Sequence, residues 1–328
     1  MAANEQLDIL VVGGSGFVSG TVARRAVASG WRVWAVTRGR LPLPDGVIAI
    51  VADRKDTLVF ISTDFVFDPA HRAFPQGEVS EHYLSDGYGD RKRMCELELM
   101  NRDTGDMAWT IVRPCHIYGP GSRLGCLPEH GRDERLLERL RARETLRLVG
   151  GGHFLQQPIV ARDLADLVLA SAGRADLNGR IFQAAGPDVV ESVIYYRILA
   201  DILGVSLHIE EVLVDEYLAD NPGAAPFLCH RIYDLAALRE AGLPSPATPL
   251  AVGARSATTV STSTPLSVAQ RRHQCKPVSE MSVAVTVQPC VARCTALRPA
   301  PAARHRARPG IRACVASTRK AVGSRSGS

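Results

Sequence analysis

No apolar run in the 328 residues approaches the length needed to span a membrane, and no signal-peptide pattern precedes Leu7. A membrane partner is therefore not expected, and a cytoplasmic location is. Metal-ligand spacing is also lacking. Cys95, Cys115 and Cys126 are scattered, and Cys290-x-x-x-Cys294 has no second ligand pair beside it, so no metal site is expected. Acidic residues almost vanish late in the chain. From Ser261 to Ser328 there are 12 Lys+Arg and one acid, Glu280, a net of +11. The preceding 260 residues carry 27 Lys+Arg against 33 Asp+Glu, a net of −6. The overall charge of +5 averages two unlike sequences.

The late stretch is rich in Ser, Thr, Ala, Pro, Val and Arg and has no steady period, so residues 261–328 are expected to form a disordered basic tail. Arg304, Arg306, Arg308 and Arg312 could neutralise phosphates, but no aromatic residue interleaves them to stack on bases. Nucleic acid is thus not an expected partner, and a frame change accounts for such a stretch more simply. At 46% hydrophobic and 22% charged residues, the chain has the make-up of a soluble globular protein able to bury a core.

What is present begins at Leu7. The apolar run Leu7, Ile9, Leu10, Val11, Val12 reads as a buried parallel strand. Gly13, Gly14 and Gly16 follow, and Val18, Val22 and Ala26 then recur at helical spacing. Strand, glycine turn and helix N-terminus together make an anion site. Missing side chains let the backbone approach a pyrophosphate, and free N–H groups and the helix dipole stabilise its charge. Gly13, Gly14, Ser15, Gly16, Phe17 and Val18 are the residues assigned to it.

The spacing Gly13-x-x-Gly16-x-x-Ser19 resembles the extended short-chain dehydrogenase/reductases, the NAD(P)-dependent epimerase/dehydratase family, with Ser19 where a third glycine is usual. The resemblance implies an α/β, Rossmann-type, doubly wound parallel sheet. Gly30 reads as the stop of the first helix and Val33 to Val36 as the second strand. An acid near the end of that strand would hold the ribose hydroxyls of NAD. Here Arg38 and Arg40 stand instead, which favours a 2′-phosphate and makes NADP the expected cofactor over NAD. Asp53, after a third strand at Val47 to Val51, matches the family's adenine ligand.

The family would continue through a helix, a fourth strand and a second helix before its fifth strand. This chain goes straight to Leu58 to Thr63, so roughly fifty residues are missing, judged by the size of a βαβ unit and one more helix. In the strand order 3-2-1-4-5 the connection has to span about 25 Å, whereas the five residues Ala52 to Asp56 reach about 18 Å. The expectation is a sheet lacking its fourth strand, with Val47 to Val51 displaced from it and cofactor binding weakened.

Ser62-Thr63-Asp64 resembles the family's hydroxyl-bearing strand end, with Thr63 at the catalytic position. Tyr88-x-x-x-Lys92 follows and begins a helical run. Residues four apart share a helix face, so Lys92 is placed beside the phenol. An adjacent ammonium favours phenolate in a group whose free pKa is about 10. Thr63 would donate to the reacting oxygen while Tyr88 takes or gives a proton.

Further on, Arg113-Pro114-x-His116-x-Tyr118-Gly119-Pro120 resembles the loop that lies along nicotinamide and substrate, with His116 replacing the usual asparagine. Asp163 reads as the N-cap of the next helix. Gln156 and Gln157 stand where nucleotide-sugar members carry an arginine. Arg231 is left as the candidate phosphate ligand. The resemblance covers about Leu7 to Val260, read as one NAD(P)-binding domain over 1–260 with substrate-binding elements in 115–260. Thr63, Tyr88 and Lys92 are the expected catalytic set, Lys92 and Pro114 also touching cofactor, and His116 and Arg231 substrate. A small molecule bearing a sugar-like hydroxyl or ketone is the expected substrate, with a homodimer as a further partner. The family also includes members that only bind cofactor or RNA, so a non-catalytic binder is the alternative.

Overall fold

Strand β1, Asp8–Val12, lies inside a seven-stranded sheet and leads to helix α1, Phe17–Ala28. These belong to a computed structural model that describes residues 8–12, 16–36, 43–49, 57–104, 107–263 and 283–288. All lie within one unit, residues 1–290. Ile9 and Val11 are fully buried against Val22, Ala23 and Ala26 of α1, which is why an apolar run and a helical stripe fold together here. Helix α1 stops at Ser29, and Gly30 supplies the left-handed φ of 80° beyond it.

Strands β2 (Arg32–Val36) and β3 (Val47–Ala49) extend the sheet on one side, β1 to β2 to β3, all parallel. On the other side β4 (Thr57–Ile61) pairs in parallel with β5 (Ala108–Pro114), which pairs in parallel with β10 (Arg180–Ala184). Helix α2, Gly87–Asn101, comes between β4 and β5 in sequence. Helix α4, Ala161–Ser171, packs beside α1, and Arg25 pairs with Asp166 across them at 2.6 Å.

Two expectations are corrected here. Val47–Ala49 does not leave the sheet but holds its parallel place beside β2. The strand ends two residues earlier than the sequence suggested and β4 starts at Thr57, which lengthens the connection to residues 50–56. Counted with their flanking bonds, seven residues reach about 28 Å and five about 21 Å, so only the longer connection covers the span of about 25 Å. That connection lies outside the described residues.

The place of the absent fourth strand is also filled. Strand β13, Val283–Gln288, lies between β1 and β4, so the order is β10-β5-β4-β13-β1-β2-β3. It runs antiparallel to both neighbours, with Val12 opposite Ala284 and Ile61 opposite Val283. The expected tail thus contributes a strand to the sheet. Its β-branched, uncharged sequence suits a central position. Residues 264–282 and 289–328 lie outside the described residues.

The elements that follow β5 form a second core. Helix α3 (Leu136–Arg141) and helix α5 (Ser192–Leu203) pack with α8 (Leu250–Ser263) around Leu136, Leu140, Tyr196, Leu199 and Ala254. Three short ladders brace it: β6 (Ile117–Tyr118) with β9 (Ile159–Val160), β7 (Leu146–Val149) with β12 (Ile209–Val212), and β8 (Leu155–Gln156) with β11 (Val190–Glu191). The short helices α6 (Val214–Asp220) and α7 (Ala236–Glu240) complete the set. Asp163 is not the N-cap of α4. Its carboxylate lies inside the first turn and accepts from the backbone N–H groups of Ala247 and Thr248, tying that helix to the entry of α8.

Candidate active site

A cavity of about 500 Å³ opens at the C-terminal ends of β4 and β5. Thr63, Tyr88, Pro114, His116 and Arg231 all line it, as does Val18 from the start of α1. Five of the sequence-assigned residues and the start of the glycine-turn helix therefore converge. Gly13, Gly14, Ser15, Arg38, Arg40 and Asp53 fall outside the described residues. Of the turn, Gly16 is the N-cap of α1, and its N–H donates to Ser19 Oγ at 3.1 Å. Ser19 is thus more than a small residue in a glycine's place: it satisfies one of the helix's orphan amides itself.

Thr63 caps a short turn over Asp64–Val66, its Oγ1 accepting from Phe65 N at 3.3 Å. Helix α2 packs on this turn because Gly89 has no side chain. A Cβ there would stand 1.8 Å from the carbonyl oxygen of Phe65. That close approach brings Tyr88, one residue earlier, to the cavity wall, with its ring edge-on to Phe65 at 6.5 Å.

Lys92 takes a different post from the one expected. Its Nζ donates to the carbonyl oxygen of Ile61 at 2.8 Å and lies 4.9 Å over the Phe60 ring. Burial pulls this ammonium down to about 8, against the opposing pull of Cys95 and Glu96. Burial also pushes the Tyr88 phenol up to about 12. The cations that act against that rise are Arg132 and then Arg91, while Asp64 adds to it. Arg132 lines the cavity on a backbone with φ of 55°. No local signal marks Arg132, which sits in a charged loop without a motif.

Behind Thr63 lies a buried polar cluster that motif reading also missed. Asp64, 2% exposed, accepts from the Tyr233 hydroxyl and from Arg231 Nη1. Arg72 donates to the Asp64 carbonyl at 2.9 Å and to the Tyr233 hydroxyl at 3.0 Å. Arg231 Nη2 donates to Gln156 Oε1 at 2.5 Å, so the glutamine found in place of a loop arginine holds the other arginine in position. Arg231 has only its Nε without a partner among the described residues, and that atom is buried. Burial and the nearby Arg231 and Arg132 hold His116 well below the usual imidazole range, so its ring is neutral at pH 7. Its buried Nε2 has no hydrogen-bond partner among the described residues.

Helix α2 is locked to β5 by a pair with both side chains fully buried, Arg113 and Glu96. Arg113 Nε and Nη2 donate to the two carboxylate oxygens at 2.8 and 2.7 Å. Among the described residues no helix is long and apolar enough to cross a membrane, and no three His, Cys, Asp or Glu side chains gather as a metal site.

The fold is shared with several solved enzymes. A UDP-glucose 4-epimerase from Thermotoga maritima, solved with UDP-glucose, superposes with a TM-score of 0.59 at 18% identity, covering 77% of this chain and 98% of that one. A UDP-N-acetylglucosamine 4-epimerase from Methanobrevibacter ruminantium M1, in complex with UDP-N-acetylmuramic acid, gives 0.62 at 15% identity over 80% of this chain and 99% of that one. A UDP-glucuronic acid 4-epimerase from Bacillus cereus, in complex with NAD, gives 0.58 at 14% identity over 78% and 98%. A search of curated protein sequences finds no match. Residues 47–185 match the model of the NAD dependent epimerase/dehydratase family.

Proposed function

We propose that the chain is an NAD(P)-dependent epimerase, dehydratase or reductase that acts on a sugar-like hydroxyl or ketone, with Thr63 and Tyr88 at the reacting carbon and Lys92 as the buried cation behind them. The observation that carries this reading is the convergence of Thr63, Tyr88, Pro114 and His116 on one cavity at the carboxyl ends of β4 and β5. A dinucleotide-binding sheet holds its ligand at that end.

The residues present fit the nicotinamide half of the cofactor. Val18 and Pro114 offer apolar contact there, and the buried Nε2 of His116 stands beside them without a partner. A bound nicotinamide would supply the hydride acceptor or donor. Thr63 Oγ1 accepts from Phe65 N and donates to Asp64 Oδ1 over a long 3.4 Å, so turning its single proton to a substrate oxygen means giving up that weak bond. With a pKa of about 12, Tyr88 is protonated at pH 7 in all but about 10⁻⁵ of molecules, so it acts first as an acid. Proton removal by Tyr88 would draw on the field of Arg132, the largest cationic influence acting against the rise.

Arg38 and Arg40 support NADP over NAD, since guanidinium groups suit a 2′-phosphate. UDP-sugars are the first substrates to try, because proteins of the same fold hold them. The absent βαβ unit supports weak cofactor affinity and low turnover. Fluorescence titration with NADPH and NADH, followed by turnover of UDP-4-keto sugars, tests the reading. NADPH is expected to bind tighter, and Tyr88→Phe to abolish turnover. Turnover undiminished in Tyr88→Phe, or binding of neither cofactor, would reject it.

A further inference from the structure

Strand β13 pairs along its length on both sides, with five residues of β1 and five of β4. Both ladders are antiparallel, in a sheet whose other pairs are all parallel. It is the only described strand that joins the β1–β2–β3 half to the β4–β5–β10 half. We propose that the gap between β1 and β4 is a strand-acceptor site, and that it takes the 283–288 segment of a second copy of this chain in exchange for its own, forming a strand-swapped dimer.

Three observations carry this. The first is how the strand is held: it fits by backbone ladders, and any copy presents the same six residues in the same register. The segment Val-Ala-Val-Thr-Val-Gln has no charge, proline or glycine, a composition that pairs readily with open strands. The second is the tether. Nineteen residues, 264–282, separate β13 from the end of α8. A tether of that length has an r.m.s. reach of about 24 Å as a flexible chain and about 65 Å when extended. The third is that the walls of the slot have support besides β13. Helix α1 packs on α4, and Arg25 meets Asp166, joining the two halves behind the sheet. With the strand withdrawn, β1 and β4 would each present unpaired backbone groups, which natural folds do not leave open.

Exchange is then a matter of concentration. A flexible tether gives an effective concentration in the millimolar range, so the chain's own strand wins in dilute solution and a second copy competes as protein concentration approaches that value. Cysteine pairs placed at facing positions read this directly. Leu10 and Thr286 are partners in the register across β1, and Leu58 and Thr286 across β4. Full-length Leu10→Cys and Thr286→Cys chains are mixed at about 1 mM and at about 0.01 mM, oxidised, and the 10–286 disulfide is mapped by mass spectrometry. The double variant serves as the within-chain control.

In the mixture the 10–286 link can only join two chains. Half of the exchanged strands come from the complementary variant, so the link is expected in about a quarter of the molecules at the higher concentration and in about one in two hundred at the lower. A link in the double variant with none in the concentrated mixture would overturn the inference, and so would its absence from both. If Leu10→Cys does not fold, Leu58→Cys gives the same reading from the other wall.

Discussion

Lys92 Nζ donates to the carbonyl oxygen of Ile61 at 2.8 Å, so the buried ammonium pins α2 to the last residue of β4. A charge 3% exposed, held by one carbonyl and a ring face, is stabilised less than it would be in water. Its folded pKa of about 8 lies below the ordinary lysine value, so between pH 8 and about 10.4 the unfolded chain binds more protons than the folded one. Stability from this group therefore rises with pH across that window. Relative to Lys92→Met, the wild-type chain is expected to gain about 3 kcal/mol between pH 7 and pH 10.5. Urea denaturation of both proteins at several pH values checks this. A difference that stays flat would show that the ammonium is not desolvated.

Tyr88 titrates the other way. Its phenol is raised to about 12, so the folded state keeps a proton that the unfolded state loses near pH 10, and the group's contribution to stability falls between those values. Removing the opposing cation in Arg132→Ala is expected to move the phenol still higher. The 295 nm absorbance titration of wild type and Arg132→Ala, each with Tyr88→Phe subtracted, measures the shift. An unchanged Tyr88 titration would remove Arg132 from the account.

Gly89 tests how closely α2 must approach the Thr63 turn. A methyl group at this position meets backbone, the Phe65 carbonyl, which cannot swing aside as a side chain can. Gly89→Ala is expected to cost about 2–4 kcal/mol and to displace Tyr88 from the cavity wall. Thermal melts give the first effect. Loss of Tyr88's raised titration gives the second.

The Arg113–Glu96 pair should show the asymmetry of buried charges. Breaking it in Arg113→Met leaves the buried carboxylate with Arg93 Nη1, at 2.9 Å, as its remaining cation and is expected to cost about 3 kcal/mol. The double variant Arg113→Met/Glu96→Leu should recover most of that loss, since both desolvation penalties disappear together. Burial opposes ionisation of Glu96, but hydrogen bonding and charge from Arg113 outweigh it and hold the carboxyl below the usual range. The stability it brings is then lost as pH falls through its folded pKa. Glu96→Gln should be correspondingly less sensitive to acid, as followed by circular dichroism between pH 5 and pH 2.

Val285→Pro probes β13 as part of the sheet. Proline in a strand paired on both sides removes a donor and clashes with its neighbour. A fall of several degrees in Tm is expected, whereas a tail outside the fold would leave Tm unchanged.

Local patterns carried much of this architecture. The runs at 8–12, 32–36, 57–61 and 108–114 are short, apolar and bounded by turn residues, so their strands were legible. Helix α5 ends at Leu203 because Gly204 takes φ of 69°. Long-range partners were not legible. The alternation in Val283–Gln288 is a strand signal, but nothing local says that its partners are Asp8–Val12 and Thr57–Ile61. At the site, the hydroxyl–tyrosine–lysine spacing picked out Thr63 and Tyr88, which line one cavity, and Lys92, which does not. The post taken by Lys92 depends on how far α2 slides along β4, which Gly89 and the Arg113–Glu96 lock decide. The cluster of Asp64, Arg72, Arg231 and Tyr233 draws on residues up to 169 positions apart, a separation no motif spans.

The position of β13 also bears on how quickly the sheet can close. Its pairing with β1 joins residues separated by about 275 positions, the widest separation among the described strand pairs. Contacts that far apart in the chain carry the largest loop-closure cost and form slowly. Until β13 docks, β1 and β4 are each paired on one side only, with β2 and β5, and their facing edges offer a template to other chains.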